Sequence, residues 1–393
     1  MYVYNTWYVA AWSHEVTDKP TARTICELPL VLFRTQDGQA HALVDRCAHR
    51  GFPLSEGRVV DDSVECAYHG FTYGRDGRCT HVPGQTALPE RARVGTYPVH
   101  EKDGWIWVYT GDPERADISD IPDTHWHNDP AWAPVFHSLG INCRAELVHD
   151  NLLDLTHESW IHQTTVGDDY IYEYGVTVEV EGNTVSVDRF MPSVEAPPLY
   201  KDTMGISGPY DRFHCTEFHV PNHHTLHSGI TAEGQPREDG YLIKVTNAIT
   251  PIDADHCWYY YCFARNFAID DAKATKDLEV GLATVLKEDA WALEHQERGL
   301  KTRPADEFDV LIAQDGGVAK ARRIMNALIR AEQREAAAKR EATEKTSAMA
   351  ASGRAAGATA VGAPAAPAGV PGAANSAGAP AAQPATQPTA QEV

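Results

Sequence analysis

Up to about residue 115, apolar residues gather in short runs broken by turn pairs. Val31-Leu-Phe33, Ala42-Leu-Val44 and Trp105-Ile-Trp-Val-Tyr109 are rich in β-branched and aromatic residues, as strands are. Asp37-Gly38, Asp76-Gly77 and Asp103-Gly104 supply the turns between them. A small all-β domain is predicted over 1–115. The Pro- and Asp-containing stretch from Gly111 to Asp123 reads as a joint to a second domain.

Beyond the joint the period changes. Residues 140–165 read as helical around Asn151-Leu-Leu-Asp-Leu-Thr-His157. From about 170 to 265 strand-like runs return, Gly175 to Val180 and Trp258 to Phe263 being the clearest. Two further helices are predicted, Asp277–Arg298 and Val318–Glu341. In the first, Leu278, Leu282, Val285, Leu286 and Leu293 form one apolar stripe. The class is therefore α+β, with the all-β domain followed at 116–335 by an antiparallel sheet with helices packed on it. Residues 336–393 read as a helical spacer and then, from Thr346, an Ala/Gly/Pro-rich tail. That tail lacks the large apolar residues needed to offset ordering entropy, so disorder is expected there.

Charge narrows the function. The chain has 393 residues and a formal net charge of −21, which argues against nucleic acid and against anionic membrane surfaces. No apolar run is long enough to span a bilayer, and the N-terminus shows no signal peptide, so a cytoplasmic location is expected. In that compartment the eight cysteines are better read as thiols or metal ligands than as disulfides.

Only two cysteines sit beside histidines in a repeated arrangement, Cys47-Ala-His49 and Cys66-Ala-Tyr-His69. Two such turns facing each other can hold a [2Fe–2S] cluster, cysteines on one iron and histidines on the other. A Cys2His2 zinc site accepts the same residue types, although zinc fingers usually place both cysteines first. Gly51 and Gly70 let each turn close. The segment Cys47-Ala-His-Arg-Gly51 with Cys66-Ala-Tyr-His-Gly-Phe71 resembles Rieske domains. It resembles those of ring-hydroxylating and demethylating oxygenases in particular, because Phe52 and Tyr68 stand where respiratory Rieske proteins carry an extra disulfide.

A second constellation follows at Asn151-x2-Asp154-x2-His157-x4-His162. On a helix the first three would share a side, whereas histidines five apart would splay. The helix is therefore expected to kink or end between His157 and His162. A non-haem Fe(II) triad needs one carboxylate more. Asp289 falls on the apolar stripe of its helix, while Glu279, Lys287 and Glu288 lie off it. A buried carboxylate is costly unless paired or metal-bound, so Asp289 is the candidate, with a structural ion pair as the bland alternative.

These residues resemble the Rieske non-haem iron oxygenases, and the segment from Lys287 to Gln296 is similar to one in vanillate and dicamba O-demethylases. The resemblance runs from Asn5-Thr-Trp through Asp315-Gly-Gly-Val318 and excludes the tail. It implies a mononuclear Fe(II) on His157, His162 and Asp289, with Asn151 beside it. Asp154 would bridge to the cluster histidine, His69, of a neighbouring subunit in a homotrimer. It also implies an FMN/[2Fe–2S] reductase that draws on NADH. The reaction would use O2 to O-demethylate a methoxylated aromatic acid with formaldehyde release. Aryl-methyl hydroxylation of the toluenesulfonate type is the near alternative; an electron-transfer Rieske ferredoxin or a zinc-stabilised binding protein are the distant ones. The strand region 205–250 should line the pocket, with Asn247, His223 and His227 as candidate substrate contacts and His214, His219 and His224 in the same stretch.

Overall fold

Eleven short strands occupy the first part of the chain: β1 (Trp7–Trp12), β2 (Thr21–Ile25), β3 (Leu28–Arg34), β4 (Ala40–Val44), β5 (Arg58–Val60), β6 (Ser63–Glu65), β7 (Thr72–Gly74), β8 (Cys79–His81), β9 (Thr96–Tyr97), β10 (Val99–Lys102) and β11 (Trp105–Tyr109). The computed structural model describes residues 1–163, 167–168, 170–304 and 306–357. Among these, the strands form three antiparallel sheets, ordered β1-β11-β10, β2-β3-β4-β9 and β5-β6-β7-β8. The turn pairs of the sequence act as expected. Asp103 and Gly104 take φ of 52° and 81°, the left-handed pair that a two-residue hairpin between β10 and β11 requires.

The second part comprises β12 (Ala133–Ile141), α1 (Ala145–Leu153), α2 (Glu158–Ile161), β13 (Thr177–Glu181), β14 (Thr184–Glu195), α3 (Pro198–Met204), β15 (Pro209–His219), β16 (His223–Thr231), β17 (Tyr241–Pro251), β18 (Cys257–Arg265), α4 (Ala272–Lys301) and α5 (Gly316–Gly357). Its seven strands make one antiparallel sheet, ordered β12-β18-β17-β16-β15-β14-β13.

Two faces of that sheet are used differently. On one, Val148 of α1 and Leu282, Leu286 and Leu293 of α4 pack against Ile243, Val245, Tyr259 and Phe263. On the other, Trp7, Val9, Trp105 and Trp107 of the first part pack on Ala248 and Tyr260. Backbone oxygens of β1 accept hydrogen bonds from Thr250 and Tyr260 at 2.7 Å each and from Asn222 at 2.8 Å. Met1–Ala336 consequently form one compact unit, and the chain from Ala337 is a second.

Three expectations change. The helix around Asn151 stops at Leu153, because Asp154 takes an extended conformation (φ −123°, ψ 94°) and its carboxylate caps the next turn by accepting from Thr156 N. Asn151, Asp154 and His157 therefore do not share one unbroken helix face. The helix α4 begins earlier than expected and ends later. α5 continues past Thr346 to Gly357, where disorder was expected; 358–393 lie outside the described residues.

Candidate metal centres and substrate cavity

The two cysteine–histidine turns are near copies of each other. Cys47 N–H donates to Phe52 O at 2.8 Å and Gly51 N–H to Cys47 O at 2.9 Å; Cys66 N–H donates to Phe71 O at 2.8 Å and Gly70 N–H to Cys66 O at 3.0 Å. Gly51 and Gly70 close these turns at φ 75° and 69°, a region L side chains avoid. A Cβ on Gly70 would also meet Pro83 Cγ at 2.8 Å.

Repetition sorts the four side chains into two pairs. Cys47 and Cys66 are buried, and burial raises the Cys66 thiol pKa, with the adjacent Cys47 adding to the rise. The Tyr73 hydroxyl lies 3.2 Å from Cys47 Sγ. His49 and His69 are exposed, their rings 4.7 Å apart. Among the described residues no three of these four donors converge within reach of a single ion, as a Cys2His2 zinc site demands. A thiol pair buried beneath an imidazole pair at the surface fits a two-iron cluster instead. Phe52 and Tyr68 occupy the would-be disulfide positions as an aromatic pair 5.5 Å apart.

The second constellation is assembled from three elements. His157 follows the break at Asp154, α2 ends at Ile161 so that His162 caps it, and Asp289 rises from the buried stripe of α4. Asp289 Oδ1 stands 3.5 Å from His157 Nε2 and 3.2 Å from His162 Nε2, and these three donors are the one such group among the described residues. Two donors each about 2.1 Å from one cation and at right angles lie ~3 Å apart, so the spacing fits a single metal ion. Both rings are aimed from behind. His157 Nδ1–H donates to the Asp154 carbonyl at 2.7 Å, and His162 Nδ1–H to Glu288 Oε2 at 2.8 Å. Each Nε2 is thereby left facing Asp289, the orientation that outer partners impose on metal-binding histidines.

Charge agrees with the geometry. Burial opposes a charged His162 ring, yet hydrogen bonding and attraction from Asp289, followed by Glu288, push its pKa up to about 9. The surroundings favour positive charge at this spot. Asn151 Nδ2–H donates to Asp289 Oδ1 at 3.2 Å, while its own Oδ1 is buried with no partner among the described residues.

The three donors open onto a cavity of about 150 Å³, the size that holds one benzene ring in an apolar protein interior. Its sheet wall follows the register. Thr216, Leu226, Val245 and Phe263 form one cross-strand row and His214, Ser228 and Ile243 the next, with helix residues Leu282, Val285 and Leu286 opposite.

Of the expected substrate contacts, Asn247 lines this cavity, its Oδ1 accepting from the Tyr259 hydroxyl at 2.9 Å. His223 and His227 do not. They are odd-numbered on β16, whereas Leu226 and Ser228 face the cavity, and strand side chains alternate. His223 is buried against Trp105 and Trp107; His227 points into a separate cleft beside Glu217 and Lys244. His219 and His224 are likewise absent from the cavity wall, and His224 instead stacks on Phe218 with its Nε2 2.9 Å from His149 Nδ1. Sequence reasoning missed Glu288, set aside because it lies off the apolar stripe, although a carboxylate next to a candidate ligand was a signal.

Comparison with known proteins finds relatives over most of the chain. Residues 6–98 match the Rieske [2Fe-2S] domain and 141–331 the vanillate O-demethylase oxygenase C-terminal domain. The chain is 36% identical over 343 residues to a vanillate O-demethylase oxygenase subunit of Pseudomonas sp. strain HR199, covering 85% of this chain and 96% of that one. It is 32% identical over 342 residues to the toluene-4-sulfonate monooxygenase iron-sulfur subunit of Comamonas testosteroni, covering 84% and 98%. The crystal structure of dicamba monooxygenase bound to 3,6-dichlorosalicylic acid superposes with a TM-score of 0.81 at 31% identity, covering 84% of this chain and 99% of that one.

Proposed function

The chain belongs to the Rieske oxygenases that include the vanillate and dicamba O-demethylase oxygenase subunits, and we propose that within that family it O-demethylates a methoxylated aromatic acid. The observation that carries this reading is the convergence of His157, His162 and Asp289 on one ring-sized apolar cavity. The balanced reaction is ArOCH3 + O2 + 2 e⁻ + 2 H⁺ giving ArOH + CH2O + H2O, in which hydroxylation of the methyl carbon yields a hemiacetal that collapses to the phenol and formaldehyde.

In this reading Cys47, His49, Cys66 and His69 hold the [2Fe–2S] cluster, and His157, His162 and Asp289 hold Fe(II). The cluster supplies electrons one at a time and the iron supplies O2 activation. The electrons originate in NADH and arrive through a reductase carrying FMN and a [2Fe–2S] centre. The protein's own work is positioning. The row of Leu226, Val245 and Phe263 excludes water and confines an aromatic ring beside the donors. Glu288 and the Asp154 carbonyl accept from the two Nδ1 atoms and so keep both rings turned with Nε2 inward. Asp154, half-buried at the break before His157, is proposed to meet His69 of the partner subunit in a head-to-tail homotrimer, a ring closed by one repeated contact.

The test is formaldehyde release from a panel of methoxylated benzoates, using purified protein, NADH and a reductase of this type. Iron near three per chain and a red-brown colour are expected. Oxidation of aryl-methyl substrates to benzylic alcohols without formaldehyde would replace O-demethylation by methyl hydroxylation, the activity suggested by the toluene-4-sulfonate relative. No O2-dependent product from any arene would overturn both.

A further inference from the structure

One row of the cavity wall carries hydrogen-bonding groups that the fold leaves unused. His214 of β15 and Ser228 of β16 are cross-strand partners, and both line the cavity together with Tyr200 of α3. Tyr200 is 3% and His214 4% exposed, yet Tyr200 Oη and His214 Nδ1 have no hydrogen-bond partner among the described residues. Ser228 lies beside Tyr200, close enough for a weak hydroxyl–hydroxyl contact. A buried polar group left without a partner is destabilising, and the neighbouring lining, Leu226, Ile243 and Val245, has nothing to offer it. Such a cost is sustained where a bound molecule makes the missing bonds.

The local charge says which kind of molecule. Arg212 stands two residues before His214, on the same face of the strand, and also lines the cavity. Its buried guanidinium is paired with Asp168 and lies 3.9 Å from Glu158. Burial, aided by Arg212 and Arg189, holds His214 well below the ordinary histidine range, so it is a neutral ring. The polar groups on this wall are thus a tyrosine O–H, the serine O–H beside it and a neutral imidazole, with the ion-paired Arg212 on the same wall.

We propose that Tyr200, His214 and Ser228 form the anchor for an anionic oxygen group on the aromatic ring, a carboxylate or sulfonate, and that they set the enzyme's preference for acids. This rests on reading the cavity as the substrate site of a monooxygenase.

The test measures Kd by calorimetry and kcat/KM by product formation with the iron-loaded holoenzyme. The probes are 4-methoxybenzoate, its uncharged methyl ester, and 4-methoxybenzenesulfonate. In Tyr200→Phe and Ser228→Ala, with folding checked by circular dichroism, the preference for acid over ester is expected to fall at least tenfold, carried by KM and Kd rather than kcat. Whichever of the carboxylate and sulfonate loses more in the variants is the natural group. Equal losses for acid and ester, or no loss in either variant, overturn the anchor while leaving the oxygenase reading intact. If the wild type binds the acids in a Tyr200-dependent way but oxidises no arene, the anchor stands and the reaction proposed above falls.

Discussion

Replacing Glu288 by Ala removes the side-chain acceptor that holds His162 by its Nδ1, at 2.8 Å. The side chain of His162 is 2% exposed, so water does not readily take the carboxylate's place. The ring then loses both its preferred tautomer and its fixed angle, and Nε2 no longer faces Asp289 and His157 in its resting geometry. Loss of an outer partner of this kind lowers metal affinity or activity by 10–100-fold, or ~1.4–2.8 kcal/mol. The expectation is that Glu288→Ala loses iron from the three-donor site 10–100 times more readily in competition with a chelator. The cluster, held by other residues, should keep its visible absorbance. Glu288→Gln, whose amide oxygen still accepts from Nδ1–H, should fall between the two. Iron per chain after equilibration at graded chelator concentration is the measurement. Retention within twofold of wild type by Glu288→Ala would refute the idea that this hydrogen bond orients the ligand.

Gly70→Ala should lower stability by about 1–3 kcal/mol and reduce cluster content, because φ is 69° and the new Cβ would meet Pro83; thermal unfolding and visible absorbance read both effects. Asp154→Asn should retain iron and cluster yet lose most turnover, if Asp154 links the two centres between subunits; normal product formation would sink that role. Glu297 of α4 is 1% exposed and bonded bidentately to Arg144 at 2.7 and 2.8 Å, and its pKa is lowered, most strongly by that hydrogen bonding. A carboxyl whose folded-state pKa is depressed contributes stability above its unfolded value near 4.5, and that contribution is lost as the pH falls through the folded one. Glu297→Gln should therefore lower stability by about 1–2 kcal/mol at pH 7, with the gap closing as the pH falls from 4.5 through the depressed folded-state value, as followed by denaturant melts across pH.

Much of this site is legible in the amino-acid sequence alone. Cys47, His49, Cys66 and His69 stand within two short turns, so spacing along the chain is nearly spacing in space. Asp289 is legible for a different reason. A carboxylate on an apolar stripe is an energetic anomaly wherever the helix packs, and helical period together with the family resemblance singles it out. The strands around Trp105 and the turn at Asp103-Gly104 are set by equally local chemistry.

What the sequence could not decide is what each element meets. His223 and His227 are as good candidates as His214 until strand parity is fixed, and parity depends on the register of β16 between β15 and β17, a non-local pairing. The break at Asp154 turns its carbonyl rather than its carboxylate toward His157, a choice made by the N-cap to Thr156. Glu288 lies off the stripe of its own helix, and only the approach of His162 from another part of the chain gives it a task. Periodicity says which side of an element faces inward; the tertiary packing of distant segments decides which partner is waiting there.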